Sequence, residues 1–263
     1  MAKSSLRTLP LQSGIIYGPV RSRRLGHSLG INLLPTGYKL CSFNCLYCQY
    51  GWTMKPTLSP TDQLKDLPQP GAVTAELEIA LKRLLRDRQT VDAITICGNG
   101  EPTLYPKLSE IIEAAKRLRD RYLPQARLAI LSNSSTVGNK QVRDALDLLD
   151  LKIMKFDAGT EELFRQLNHP AGPVYMGEIV AGLKELKNVF LQSLFIQGRV
   201  INADPDSVAL WIVKVGEIKP LGVQVYTLDR APADKRIEKV SRFTLEWIAE
   251  QVRWRAGVGA EVY

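Results

Sequence analysis

Cys41, Cys45 and Cys48 stand in a Cys-x3-Cys-x2-Cys triplet inside LCSFNCLYCQYG. Three thiolates this close along the chain can wrap one inorganic centre, and ordinary packing does not call for them. Thiolates select soft metals, either zinc or iron–sulfur. A structural zinc site wants four closed ligands, so zinc needs a fourth from elsewhere, such as His27. A [4Fe-4S] cube held by three cysteines leaves one iron open to a reactant. The chain has four cysteines in all; the last, Cys97, is too little for a second cube and reads as a small buried hydrophobe.

Other polar residues cluster in short motifs. Gly98-Asn99-Gly100-Glu101-Pro102-Thr103 combines glycines, which allow close backbone approach, with an acid that accepts hydrogen bonds. Ser132-Asn133-Ser134-Ser135 offers hydroxyls and an amide suited to a ribose or a carboxylate, or to a turn. Lys155 and Asp157 are two apart and share a strand face, where burial is costly unless they pair or bind a ligand. Gln197-Gly198, Asn202 and Thr227-Leu228-Asp229-Arg230 follow later apolar runs. Asp229 and Arg230 suit either a substrate contact or a salt bridge at the rim. Arg21, Arg23 and Arg24 lie among glycines in GPVRSRRLGHSLG, a loop suited to an anion. His27 and Asn168-His169 have no evident partners and read as structural.

The elements that must position these residues follow from periodicity. Strands are expected near 28–35, 93–98, 127–133, 151–157, 189–197 and 222–228. Helical stripes lie between them: Leu77, Leu81, Leu84 and Leu85 behind a Thr74 cap; Leu108, Ile111, Ile112 and Ala115; Val142, Leu146 and Leu149; Met176, Ile179, Val180 and Leu183. Asp204-Pro205 and Ser241 read as starts of the last two helices. Six strand–helix units demand parallel strands with right-handed crossovers, and fall short of a closed eightfold barrel. The motifs fall after strands, where parallel α/β folds bind ligands. A single domain over 1–263 is expected, with 1–27 as an N-terminal extension and 41–72 as a cluster loop with an irregular continuation.

Composition narrows the setting. The chain has 263 residues, 45% of them hydrophobic, and no apolar run long enough to span a bilayer. Its first residues lack the apolar core of a secretory signal, and three of four cysteines sit within eight residues. A reducing, cytoplasmic location without membrane contact is the expectation. A net charge of +8 permits attraction to RNA or another acidic partner, although many basic residues belong to solvated helix faces.

The cysteine triplet, with Tyr47 just before its last member, resembles the signature of the radical S-adenosylmethionine (SAM) superfamily. The resemblance covers essentially the whole chain and implies an α/β fold, a partial (β/α)6 barrel of parallel strands. It implies a [4Fe-4S] cluster on Cys41, Cys45 and Cys48, with SAM chelating the open iron. Reductive cleavage then yields a 5'-deoxyadenosyl radical that abstracts hydrogen from a substrate. Gly98, Asn99, Gly100 and Glu101 are similar to the family's Gly-Gly-Glu motif for the SAM ammonium, with Asn99 in place of a usual glycine. Similarity assigns Ser132, Asn133 and Asp157 to SAM, and Tyr47 and Thr227 to its adenine side; Lys155 and Asp157 are the candidate catalytic pair. A one-electron reductant such as a flavodoxin or ferredoxin is the implied partner. The stretches YGPVRSRRLGHSLGINLL, CSFNCLYCQYG, GNGEPTLYP and KFDAG resemble small iron–sulfur oxidoreductases related to the wyosine-forming tRNA enzyme. That enzyme carries a second cluster on further cysteines, which this chain lacks, so its tRNA chemistry does not carry over. The substrate is thus unknown, with RNA as one candidate. A glycyl-radical-enzyme activase acting on a protein is a second reading, and a non-catalytic zinc or Fe-S binding protein a third.

Overall fold

The structure is a computed structural model and describes residues 8–263. Two short strands, β1 (Ile16–Ser22) and β2 (Gly26–Ile31), open the chain as an antiparallel hairpin. The cysteine loop leads to α1 (Pro70–Arg86), β3 (Ala93–Ile96) and α2 (Leu108–Tyr122). Next come β4 (Arg127–Ser132), α3 (Lys140–Leu146), β5 (Leu151–Lys155), α4 (Glu161–Asn168) and α5 (Met176–Glu185). Then follow β6 (Val189–Leu194), β7 (Ile196–Gly198), α6 (Pro205–Ile218) and β8 (Gly222–Tyr226). The order closes with β9 (Ile237–Lys239), α7 (Arg242–Ala256) and β10 (Ala260–Val262).

The eight-stranded sheet runs β1-β2-β3-β4-β5-β6-β8-β10, and every pair except β1–β2 is parallel. Six of these parallel strands carry the expected β/α units, so the fold is α/β, a partial (β/α)6 barrel. Alternation along the strands separates two environments. Leu29, Ile31, Ile94, Ile96, Leu128 and Ile130 belong to the large core shared with the helices. Leu25, Ala93, Ala129 and Ile153 form a separate small cluster on the concave face. There Ser28 and Thr95 share a 2.7 Å hydrogen bond, and Gly30 leaves room for the Tyr17 ring.

Several expected boundaries shift. The first parallel strand begins at Gly26 rather than 28, and the expected extension supplies β1 of the sheet; residues 1–7 lie outside the described residues. Thr74 does not cap α1: the helix starts at Pro70 behind Gln69, and Thr74 donates its hydroxyl to the Pro70 carbonyl inside the first turns. A proline fits the first turn because its missing N–H has no helical partner there. The expected 189–197 strand breaks after Leu194, and β7 turns away to pair with β9. Asp204 and Ser241 cap α6 and α7, accepting from Ser207 N and Thr244 N. Among the described residues no helix is long and apolar enough to cross a membrane.

Candidate active site

The cysteine loop crosses the C-terminal strand ends and is held there by backbone hydrogen bonds. Leu40 N donates to Asn99 O at 2.9 Å, and Glu101 N donates to Leu40 O at 3.0 Å. Gly100 makes that crossing possible: its φ is +140°, and a Cβ there would lie 1.7 Å from the Leu40 carbonyl oxygen. On the far side Asn44 N donates to the Asn168 and His169 carbonyls, and Leu46 N to Leu167 O. Asp234 N donates to Leu46 O, tying the loop after β8 to the same segment.

Cys41, Cys45 and Cys48 line one cavity of about 310 Å³ together with Gly98, Gly100, Glu101, Ser132, Asn133, Lys155 and Thr227. Each sulfur faces a side-chain N–H donor: Asn133 Nδ2 lies 3.5 Å from Cys41 Sγ, Asn168 Nδ2 3.4 Å from Cys45 Sγ, and Lys39 Nζ 3.2 Å from Cys48 Sγ. Donors aimed at sulfur favour the thiolate. Burial opposes it, raising the Cys41 thiol and taking that of Cys45 to about 11. A bound cationic centre is what converts such thiols to ligands. Among the described residues no group of three His, Cys, Asp or Glu side chains is drawn together as a site for a single metal ion. His27, the expected fourth zinc ligand, is at the opposite end of the strands, with Nδ1 4.0 Å from Asp92 at the start of β3. A larger hollow of about 690 Å³ opens beside it, lined by Arg83 and Asp87 and holding no thiol.

The expected site residues divide by what their side chains do. Glu101 is buried and accepts from Thr103 N and Oγ1, Ser132 Oγ and Asn133 N. Burial raises its carboxyl, and those four donors pull the other way. Asn99 is fully buried and outside the cavity lining: its amide bridges Gln12 and Pro35 O, and its N–H reaches Asn32 Oδ1. Asp157 is likewise outside the lining. It accepts from Tyr47 Oη, from Lys155 Nζ at 2.7 Å and from Leu194 N at 2.8 Å. Lys155 also donates to Tyr226 Oη at 2.9 Å. Burial lowers the Lys155 ammonium, but Asp157 and Tyr226 outweigh it and the net direction is up. Thr227 donates to Phe195 O and accepts from Val240 N, which fixes its place in the wall.

Asn168, read from sequence as merely structural, joins the site. Its Nδ2 contacts Tyr47 Oη at 2.6 Å and Asp157 Oδ2 at 3.4 Å as well as Cys45 Sγ. Local sequence marks only the helix that carries it: Thr160 followed by Glu161-Glu162 is a helix start, and that helix ends at Asn168. Lys39 was also missed, and nothing in its local sequence marks it.

The α/β partial barrel with its cysteine loop is of the radical SAM class. The chain belongs to the radical SAM superfamily, whose family model matches residues 37–191. Within it the chain groups with the UPF0026 proteins. One from Synechocystis is 32% identical over 80% of this chain and 74% of its own length. One from Methanocaldococcus jannaschii is 30% identical over 85% of this chain and 66% of its own. A Brachyspira hyodysenteriae protein named GTPase Obg is 31% identical over 90% of this chain, which spans only 33% of it. The radical SAM methyltransferase of Sphaerobacter thermophilus has the same fold, with a TM-score of 0.64 at 15% identity over 90% of this chain and 65% of that one. TYW1 with a lysine–pyruvate adduct bound gives 0.59 at 16% over 87% and 74%. The radical SAM family generally binds a [4Fe-4S] cluster and SAM.

Proposed function

We propose that this chain holds a [4Fe-4S] cluster on Cys41, Cys45 and Cys48 and binds SAM in the adjoining cavity, as one radical SAM domain over 1–263. The observation that carries the reading is the meeting of all three thiols with the Gly98–Glu101 and Ser132–Asn133 segments in one cavity at the strand ends. When bound, the cluster and SAM supply reductive cleavage to a 5'-deoxyadenosyl radical, which abstracts hydrogen from a substrate.

The protein's own residues prepare that chemistry. Asn133, Asn168 and Lys39 aim N–H donors at the three sulfurs. Glu101, locked by its four donors, presents a fixed acceptor edge for the SAM ammonium. Tyr47 and Thr227 take the adenine side. Asp157 acts mainly by positioning, since it fixes Tyr47 and Lys155 from behind the wall. Lys155 is the residue of that pair that reaches the cavity, where it can hold a substrate or move a proton. The walls shield a reactive species from water. The chemistry requires a one-electron reductant of the flavodoxin or ferredoxin type, and fits a reducing cytoplasm.

The test is anaerobic reconstitution, reduction with dithionite, addition of SAM and assay of 5'-deoxyadenosine. The native protein is expected to form the nucleoside, and Cys45→Ala to lose both cluster and product. A Cys45→Ala protein that keeps both sinks the assignment. Failure of the native chain to take up iron and sulfide returns the zinc or binding-protein reading.

A further inference from the structure

Arg24 belongs to the cavity wall, yet none of the roles above uses it. It stands at the turn between β1 and β2, where the hairpin reaches the concave face: the next residue, Leu25, packs with Ala93, Ala129 and Ile153. The Arg24 guanidinium carbon lies 4.4 Å from the Tyr226 ring centroid and 5.0 Å from that of Tyr263. Stacking leaves the N–H groups of a guanidinium unspent, because they radiate in its plane. Its Nε is buried with no hydrogen-bond partner, and among the described residues the side chain enters no ion pair.

Of the other cations of the wall, Arg230 is exposed to solvent and three are engaged. Arg23 meets Asp229 at 3.1 Å, Lys155 meets Asp157 at 2.7 Å, and Lys39 reaches Cys48 and the Gly51 carbonyl. The acids that face the cavity are committed: Asp229 to Arg23, and Glu101 to its four donors. A half-buried guanidinium held in place by aromatic rings and left without an anion is costly unless a ligand brings one. Tyr226 joins Arg24 to Lys155, since its ring lies under Arg24 and its hydroxyl accepts from Lys155.

We infer that Arg24 receives an oxyanion of the substrate, a carboxylate or a phosphate, on the inner wall beside Tyr226 and Lys155. This rests on the SAM reading only in naming the occupant as the substrate. An oxyanion there accepts in-plane from the guanidinium fork, in the bidentate way that suits both groups. The hydrogen to be abstracted then belongs to a molecule anchored by that anion.

The test titrates inorganic phosphate and, separately, acetate into the reconstituted protein without SAM, by calorimetry. Saturable binding of one probe is expected, and the probe that binds identifies the source of the oxyanion. Arg24→Gln is expected to weaken it about 10- to 100-fold. Arg117→Gln, on an exposed face of α2, is expected to leave it unchanged. Arg24→Lys keeps the charge but not the fork; it is expected to fall between, and it serves where Arg24→Gln loses its fold. Three results overturn the inference: no saturable binding by the native chain below about 10 mM, equal binding by Arg24→Gln, or loss of SAM affinity in Arg24→Gln with the probe unaffected. Iron, sulfide and SAM affinity are measured on the same preparations, so a failure of the SAM reading is seen separately.

Discussion

Lys152 and Lys155 are three residues apart on β5 and face opposite sides of the sheet. Lys152 points outward and is 1% exposed, with Asp147 Oδ1 3.4 Å away on a side chain that is itself 39% exposed. Lys155 points inward and meets a buried carboxylate at 2.7 Å and a tyrosine hydroxyl at 2.9 Å. Burial lowers both ammonium groups; it prevails for Lys152, whereas the partners of Lys155 reverse it. The same residue type on the same strand is thus a tolerated charge on one face and part of a built network on the other. The difference lies in how closely the partners meet it: 2.7 and 2.9 Å for Lys155, against 3.4 Å to both Asp147 and the Leu149 carbonyl for Lys152.

The largest test of that contrast is Lys155→Ala. It leaves the buried Asp157 carboxylate without its cation, held only by neutral donors from Tyr47, Leu194 N and Asn168, and is expected to cost about 3 kcal/mol in denaturant unfolding. Removing both charges, as Lys155→Met with Asp157→Asn, is expected to recover most of that, because the amide oxygen still accepts from Leu194 N. A single-variant loss below about 1 kcal/mol would erase the distinction between the faces.

An intermediate case is Asp234, a buried acid whose partners Arg199 and Arg236 are 50% and 64% exposed. Arg236 above all holds its carboxyl well below the usual range. Asp234→Asn is expected to cost about 1 kcal/mol at neutral pH, because its partners can turn to water. A depressed carboxylate gives stability that is present above its unfolded value and lost as pH falls toward the folded one. The gap between native and variant is therefore expected to hold at neutral pH and shrink below about pH 4. A gap that widens in acid would reverse the sign of the linkage.

The smallest effect is expected from Lys152→Met, within about 1 kcal/mol of the native chain at pH 7 and in the stabilising direction. A lysine lowered by burial binds its proton less well folded than unfolded, so it is a liability at neutral pH. That liability fades as pH rises toward about 10.4, and the variant's advantage is expected to fade with it. Thermal melts at pH 7 and pH 10 decide the point, and a loss above about 3 kcal/mol would make the outer lysine as integral as the inner one.

What could be read in advance followed the same division. The six parallel strands were legible because their outward residues are apolar, and Asp204 and Ser241 because caps are local chemistry. The cysteine triplet and the Gly98–Glu101 segment were legible because their spacing is unusual in itself. β1 was not, since IYGPVRS is half-buried without clean alternation and pairs only through its hairpin. β10 is three residues long and exists by adding to β8. The partners of the site were least legible of all. Asn168 lies 123 positions from the sulfur it contacts, and Asn99 is bound to Gln12 across 87. Local pattern does not encode such meetings; the sheet brings them about.

The crossing of Leu40 over Gly100 limits how this architecture can diverge. Residues 61–66 are mostly exposed, and a lineage can lengthen or rewrite that stretch without disturbing the strands. Positions 40 and 100 have no such latitude, because the two chains pass within the space of a missing methyl group. Any side chain acquired at 100 must be answered by a displacement of the backbone leading into Cys41, so the two loops descend as a single heritable unit.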